Sequence, residues 1–361
     1  PSATPSATLT VAPATAMPTE TTATATHTAT RPPTATISAT ATRTPTVSPT
    51  PVIPTATTRP PATRSPAACL PVSLGAVALA NPRAIAASDR GFYVALFESS
   101  EVALIDAGTR VLQWQLPTGE GRANGIAVWG DTLVTANRDR GTVTLHDAVT
   151  GAQRATLATG ALPWGVTVAD GRAYVANFGA NTVTVIDVVA ARVLNTVPVP
   201  QLPVTVVVAE GRPYLLHLNG VITRLDRDGN ALGQSATGLA DTRGIGYDPI
   251  RRRLYVGSES GAIVALRLPD LAQVGRFNLP GPAYAVAVNE GTGRVYTVDA
   301  QNNALYVVEP DTGEVSALPL PPQGGAQGGQ GLAAANNRIA VSNLADNTVS
   351  FFDDSACPER L

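Results

Sequence analysis

Apolar and polar residues alternate with a period of two in short runs along most of this chain. The clearest run is Thr182-Val183-Thr184-Val185-Ile186-Asp187, the pattern of a half-buried strand. Before it stands a second apolar, β-branched segment around Tyr174-Val175. The Asn/Gly cluster 177–181 between them supplies the small polar residues that a hairpin turn needs.

This hairpin recurs. Its second strand closes on Asp106, Asp147, Asp187, Asp226, Glu309 and Asp353, and a further copy closes on Arg267 without the acid. The copies follow one another at intervals of about forty residues, and no helical periodicity interrupts them. Seven such units predict an all-β fold, a seven-bladed β-propeller of four-stranded blades.

Tyr174-Val-Ala-Asn177, preceded by Pro163-Trp-Gly-Val166 and followed by Thr182-Val-Thr-Val-Ile-Asp187, resembles the YVTN-type β-propeller repeat of bacterial and archaeal surface proteins. Tyr93-Val94, Tyr214-Leu215, Tyr255-Val256 and Tyr296 are weaker copies, and Val134 and Ala340 replace the tyrosine in units two and seven. The resemblance spans about residues 70–354 and implies the fold. It implies little about function, because propellers host many unrelated tasks.

Composition divides the chain in two. Residues 1–68 are dominated by Thr, Ala, Pro and Ser with no aromatic residue, too little apolar surface to offset the entropy of ordering. They are expected to form a disordered stalk, and residues 69–361 the propeller. As extended polyproline II the stalk would span roughly 200 Å at about 3.1 Å per residue, a spacer that would lift the domain away from a membrane. An export or anchoring segment is expected upstream of Pro1.

Charge is nearly balanced, 25 Lys+Arg against 27 Asp+Glu. Without a basic stripe, nucleic acid is not an expected partner, and no apolar run is long enough to span a bilayer. The three histidines and two cysteines form no ligand set with metal spacing, so no metal or cofactor is expected. A G-x-S-x-G elbow is also lacking.

The ring must close on itself. Aligning Val72 to Pro82 with Val193 to Pro203 makes the segment 71–80 the outer strand that unit seven lacks, which would remove an exposed edge. In the same register Cys69 takes the place of Ala190 and Cys357 that of Ala191, neighbours in one turn. A Cys69–Cys357 disulfide is therefore expected at the seam, worth on the order of 5 kcal/mol in the chain-entropy account. It implies an oxidising, extracytoplasmic location, either secreted or on the cell surface.

In the usual propeller topology, the first channel residue of each blade is Arg83, Asn124, Trp164, Val204, Arg243, Tyr284 and Gln330. Two guanidinium groups, two aromatic rings and two amides at one mouth suit an anionic or sugar-like ligand. Loops between second and third strands share that face, among them Asn137-Arg-Asp-Arg140, His217-Leu-Asn219, Ser258-Glu-Ser260, Asp299-Ala-Gln-Asn-Asn303 and Leu344-Ala-Asp-Asn347. Their composition is also what tight turns demand. The 321–330 insertion is read as a spacer, the strand-closing acids as turn caps, and Trp114 and Trp129 as packing between blades.

These readings favour a non-enzymatic, monomeric binding or adhesion module for a cell-surface polymer, glycan or protein. A lactonase-like hydrolase at the Arg83/Arg243/Tyr284 mouth, drawing on His217, is the alternative. An architectural envelope subunit is a third possibility.

Overall fold

The computed structural model describes residues 70–119, 121–321 and 331–355. The stalk 1–68, Cys69, Cys357 and Gln330 fall outside these residues, as do most of the 321–330 insertion and the proposed disulfide. All the described residues belong to one compact unit.

Seven antiparallel sheets of four strands each make up the fold. Blades 1 to 6 take residues 82–117, 123–158, 163–198, 203–236, 242–278 and 286–319, each a simple meander from innermost to outermost strand. Blade 7 is composite. Its inner three strands come from Leu332–Ala335, Arg338–Asn343 and Thr348–Asp353, and its outer strand is Val72–Ala78 from the other end of the chain. The register runs from Val72 opposite Asp353 to Ala78 opposite Thr348. The seam therefore lies inside one sheet, as the repeat spacing predicts, and the last blade presents no raw edge.

The core sits between blades rather than on the axis. Second strands such as Gly91–Leu96 are buried along their whole length, while outer strands alternate exposed and half-buried. Tyr214, Leu216 and Ile222 of blade 4 pack with Leu254, Val256 and Val264 of blade 5. Where the ring closes, Phe92 of blade 1 meets Phe351 of blade 7 edge-on, ring centres 5.5 Å apart.

In blades 1, 3 and 6 the repeated tyrosine joins its blade to the next. The Tyr93 hydroxyl donates to the Ala148 carbonyl of blade 2 at 2.9 Å, and that of Tyr174 to the Arg227 carbonyl of blade 4 at 3.0 Å. The Tyr296 hydroxyl donates to the Asp354 carboxylate of blade 7 at 2.6 Å. In blades 2 and 7 the acceptor follows directly on the end of the third strand, and in blade 4 it is the second residue past it. Trp114 acts alongside, its indole N–H donating to the Val149 carbonyl at 2.8 Å. Trp129, 39% exposed, sets its ring edge near Gly171 of blade 3 and so also packs between blades.

The strand-closing acids cap turns. Asp106 accepts from the backbone N–H of Thr109 at 2.7 Å, Asp147 from that of Thr150 at 2.9 Å, and Asp187 from that of Ala190 at 2.9 Å. Glu309 is the exception; its carboxylate receives the Arg294 guanidinium at 2.5 Å.

Candidate functional site

The innermost strands pack each against the next until blade 7 meets blade 1, and their upper ends surround a cavity of about 700 Å³. An irregularity in five blades controls what faces it. Register slips between Pro82 and Ala84, Ala123 and Gly125, Pro163 and Val166, Pro203 and Thr205, and Thr242 and Gly244. Each slip falls at the first channel residue: Arg83, Asn124, Trp164, Val204 and Arg243. A bulge of this kind re-aims the side chain it displaces. In blade 6 the regular strand starts only at Val286, and Tyr284 holds the equivalent place through its N–H to the Val298 carbonyl at 3.2 Å.

Those six residues all line the one cavity. Tyr284 is buried, and its hydroxyl has no partner among the described residues; it forms wall rather than an offered ring. The residue after the bulge is glycine in several blades, which allows neighbouring backbones to close in. A Cβ on Gly125 would run into the Trp164 carbonyl, and one on Gly331 into the Arg83 carbonyl.

A second set of positions recurs beside the first, and Phe97, Arg138 and Leu344 of it line the same cavity. It comes from the residue immediately after each second strand: Phe97, Arg138, Phe178, Leu218, Glu259, Ala300 and Leu344. Backbone bonds hold several of these against the entry to their own blade: Phe97 N–H to Asn81, Arg138 N–H to Arg122, Phe178 N–H to Leu162. Sequence reasoning named Arg138 and Glu259 only as members of turn loops and missed Phe97, Glu98 and Arg122. A usable signal existed for six of the seven, since in every blade but the first, where Leu96 stands, the second-ring residue directly follows the polar residue that ends the second strand.

The two rings meet in specific pairs. The Arg83 guanidinium lies 4.2 Å from the centre of the Phe97 ring, with Arg122 at 5.1 Å on the same ring. Trp164 serves both Arg138 at 5.6 Å and Arg243 at 5.9 Å, and packs on Phe178 at 4.8 Å. Such contacts hold a guanidinium in place without neutralising it.

Neutralisation is uneven. Arg243 is ion-paired with Glu259. Arg122 binds Asp139 at 2.6 Å and reaches Glu98 at 3.8 Å. The side chains of Arg83 and Arg138 have no hydrogen-bonded or ion-paired partner among the described residues, and the Arg138 Nε is closed off without one. Burial, helped by the nearby charges of Arg138 and Arg243, pushes the Arg83 guanidinium down to about 10. Asn124 lies beside them, 4% exposed. Its Nδ2 donates to the Trp164 carbonyl at 3.1 Å, while its Oδ1 remains without a donor.

His217 is not part of the site. It is fully buried, with Nδ1 against the Gln201 carbonyl at 3.1 Å and Nε2 against the Thr223 hydroxyl at 2.8 Å. It occupies the place that Asn177 holds in blade 3, where Nδ2 donates to Thr182 and Thr184 at 2.9 Å each. The histidine invoked for a hydrolase is thus a strand-to-strand tie. Among the described residues, no group of three or more His, Cys, Asp or Glu could hold a metal ion, and no helix is long and apolar enough to cross a membrane.

No protein-family model matches this sequence, and no curated protein matches it. Solved structures do match in fold. Hydrazine synthase of Kuenenia stuttgartiensis superposes with a TM-score of 0.68 at 15% identity, over 77% of this chain and 96% of that one. The β-propeller domain of Cps50 (Swd1) from Myceliophteria thermophila gives 0.67 at 13%, over 79% of this chain and 99% of that one. At these identities the likeness shows the propeller fold alone.

Proposed function

We propose that this protein is a binding propeller displayed outside the cell on its Thr/Pro-rich stalk, and that its channel mouth captures an anionic ligand. One observation carries the reading: Arg83 and Arg138 face a cavity of about 700 Å³ with no carboxylate partner among the described residues. A half-buried guanidinium without a counter-ion is a cost to the fold. Its retention is explained when an external anion completes it, and the backing rings of Phe97 and Trp164 keep both groups oriented for that partner.

Exterior display is supported by the composition of residues 1–68 and by the seam. Val72 pairs with Asp353, three and four residues along the chain from Cys69 and Cys357, a placement that suits a disulfide bridging the cut. The YVTN-type repeat fits the same setting. With His217 tied off and Glu259 and Asp139 each held by an arginine, the mouth offers recognition chemistry more readily than a general base.

The test is an array of acidic and neutral glycans and polymers probed with the full chain and with an Arg83→Gln/Arg138→Gln variant. Retention confined to acidic members, and lost in the variant, is the expected result. Equal retention by both proteins would refute the reading.

A further inference from the structure

We infer that the propeller carries a second binding site, for a neutral sugar, across the ends of blades 2 to 4 away from the mouth, with Trp129 as its stacking platform. The site stands apart from the arginine mouth and does not depend on the anion reading. Trp129 ends the innermost strand of blade 2, five residues and so roughly 17 Å along the strand from Asn124 at the mouth.

The repeat itself shows that the fold does not require this ring. Five residues past the first channel residue, the other six blades carry Ser88, Ala169, Ala209, Asp248, Asn289 and Ala335, and their sheets form with no aromatic side chain there. One edge of the Trp129 ring rests beside Gly171, yet Trp129 is the most exposed aromatic residue among the described ones.

The same comparison singles out the turns on either side. Two residues past the strand-closing position stand Gly108, Asp228, Pro269, Asp311 and Ser355, but blades 2 and 3 carry Val149 and Val189. These valines are 49% and 75% exposed. Exposed apolar side chains at places where the repeat elsewhere uses glycine, proline or a polar residue mark a contact surface.

Beside Trp129 the surface is hollow. A cavity of about 460 Å³ is lined by the indole, Val189 and Leu194 and by Asp170, Arg192 and Arg227. Its charged groups are unevenly committed. Arg172 is held by Asp228 at 2.6 Å and by the Arg227 carbonyl at 2.8 Å, and Arg192 stands 4.0 Å from Asp187. The side chains of Asp170 and Arg227 have no hydrogen-bonded or ion-paired partner among the described residues. The Arg227 backbone is pinned, since its carbonyl also receives the Tyr174 hydroxyl at 3.0 Å.

A ligand for this hollow must cover an indole, donate to a carboxylate and accept from a guanidinium. An anion would meet Asp170 and a cation Arg227, whereas a neutral sugar satisfies all three. The C–H hydrogens on one side of its ring lie against the electron-rich face of the indole, and its hydroxyls donate and accept at once. Hydrogen bonds to ionised partners are the stronger kind, and the volume is that of a small-ligand site.

The test is a titration of the full chain with cellohexaose, chitohexaose and mannohexaose, read by calorimetry and by the NMR signals of the three tryptophan indole N–H groups. Trp129→Ala identifies the Trp129 signal. Alanine is the residue that blades 3, 4 and 7 already hold at this place, so the variant keeps the fold. At least one of the sugars is expected to shift the Trp129 signal saturably and to leave those of Trp114 and Trp164 in place. Its affinity should fall at least tenfold in Trp129→Ala, fall also in Asp170→Ala, and stay unchanged in Arg83→Gln/Arg138→Gln. No saturable response to any of the three, or a response at Trp164 in place of Trp129, would overturn the site, and so would an affinity that Trp129→Ala leaves unchanged. A concentration-dependent dimer in sedimentation, lost in Trp129→Ala and unaccompanied by sugar binding, would overturn it in favour of an interface between two copies. None of these failures touches the anion reading at the mouth.

Discussion

The Asp147 carboxylate accepts backbone N–H bonds from Val149 and Thr150 and is ion-paired with Arg154. The Thr150 N–H and then the Arg154 guanidinium hold it well below the usual carboxylate range, and the Thr109 N–H lowers Asp106 in the same way. A depressed folded-state value stabilises the protein above the unfolded pKa, near 3.9 for Asp, and that contribution is lost as pH falls through the folded value. Urea unfolding at pH 7 and pH 2.5 should therefore show a loss of stability in acid, and Asp147→Asn should make that loss smaller. The tyrosines allow a sharper contrast at one repeat position. Tyr93→Phe removes the bond to a buried carbonyl and should cost about 1 kcal/mol. Tyr255 carries a buried hydroxyl with no partner among the described residues, so Tyr255→Phe should be neutral or slightly stabilising in the same assay.

Between elements, the close approach of neighbouring inner strands sets the width of the channel. Gly125→Ala would press a methyl group into the Trp164 carbonyl and should destabilise by about 1–3 kcal/mol, as overpacking does, with Trp164 fluorescence shifted in the folded state. At the blade 6–blade 7 seam, buried Asp354 gathers Asn289 at 2.9 Å, Thr292 at 2.7 Å, Tyr296 at 2.6 Å and Arg294 at 2.5 Å. Asp354→Asn leaves Arg294 with Glu309 alone and should cost about 3–5 kcal/mol in chemical unfolding. Much of this level was legible in the sequence. Blade number, the composite seventh blade and the inner ring all follow from repeat spacing, because each blade reuses one hydrogen-bonded register. The outer ring was not read, because Arg138 and Glu259 stand in stretches whose Asn, Asp, Ser and Gly content has a sufficient explanation in turn chemistry. His217 misled for the opposite reason: a histidine replaces the asparagine of the repeat, and only its two buried hydrogen bonds reveal that it does the asparagine's job. Register slips, which aim Arg83 and Asn124, depend on the count of residues opposite each other across two strands and leave no mark in either strand alone.

Across the whole molecule, the contacts that hold the blades together and the mouth arginines without an ion-pair partner among the described residues lie in different places. The hydrophobic clusters and tyrosine ties lie between blades, while Arg83 and Arg138 line the channel mouth. Arg83 shows the missing partner most directly, its guanidinium pushed down to about 10 by burial and by Arg138 and Arg243. A cation whose folded value is depressed destabilises the folded state wherever it is charged, which covers neutral pH. Its removal should relieve a strain on the order of 1 kcal/mol, discounted for solvent screening and partly offset by the lost stacking on Phe97. The direct measurement is the unfolding free energy of Arg83→Gln against the wild type at pH 7 without ligand. The account predicts a variant at least as stable as the parent. A variant that loses 1 kcal/mol or more would show that Arg83 holds the fold together and does not wait for an anion.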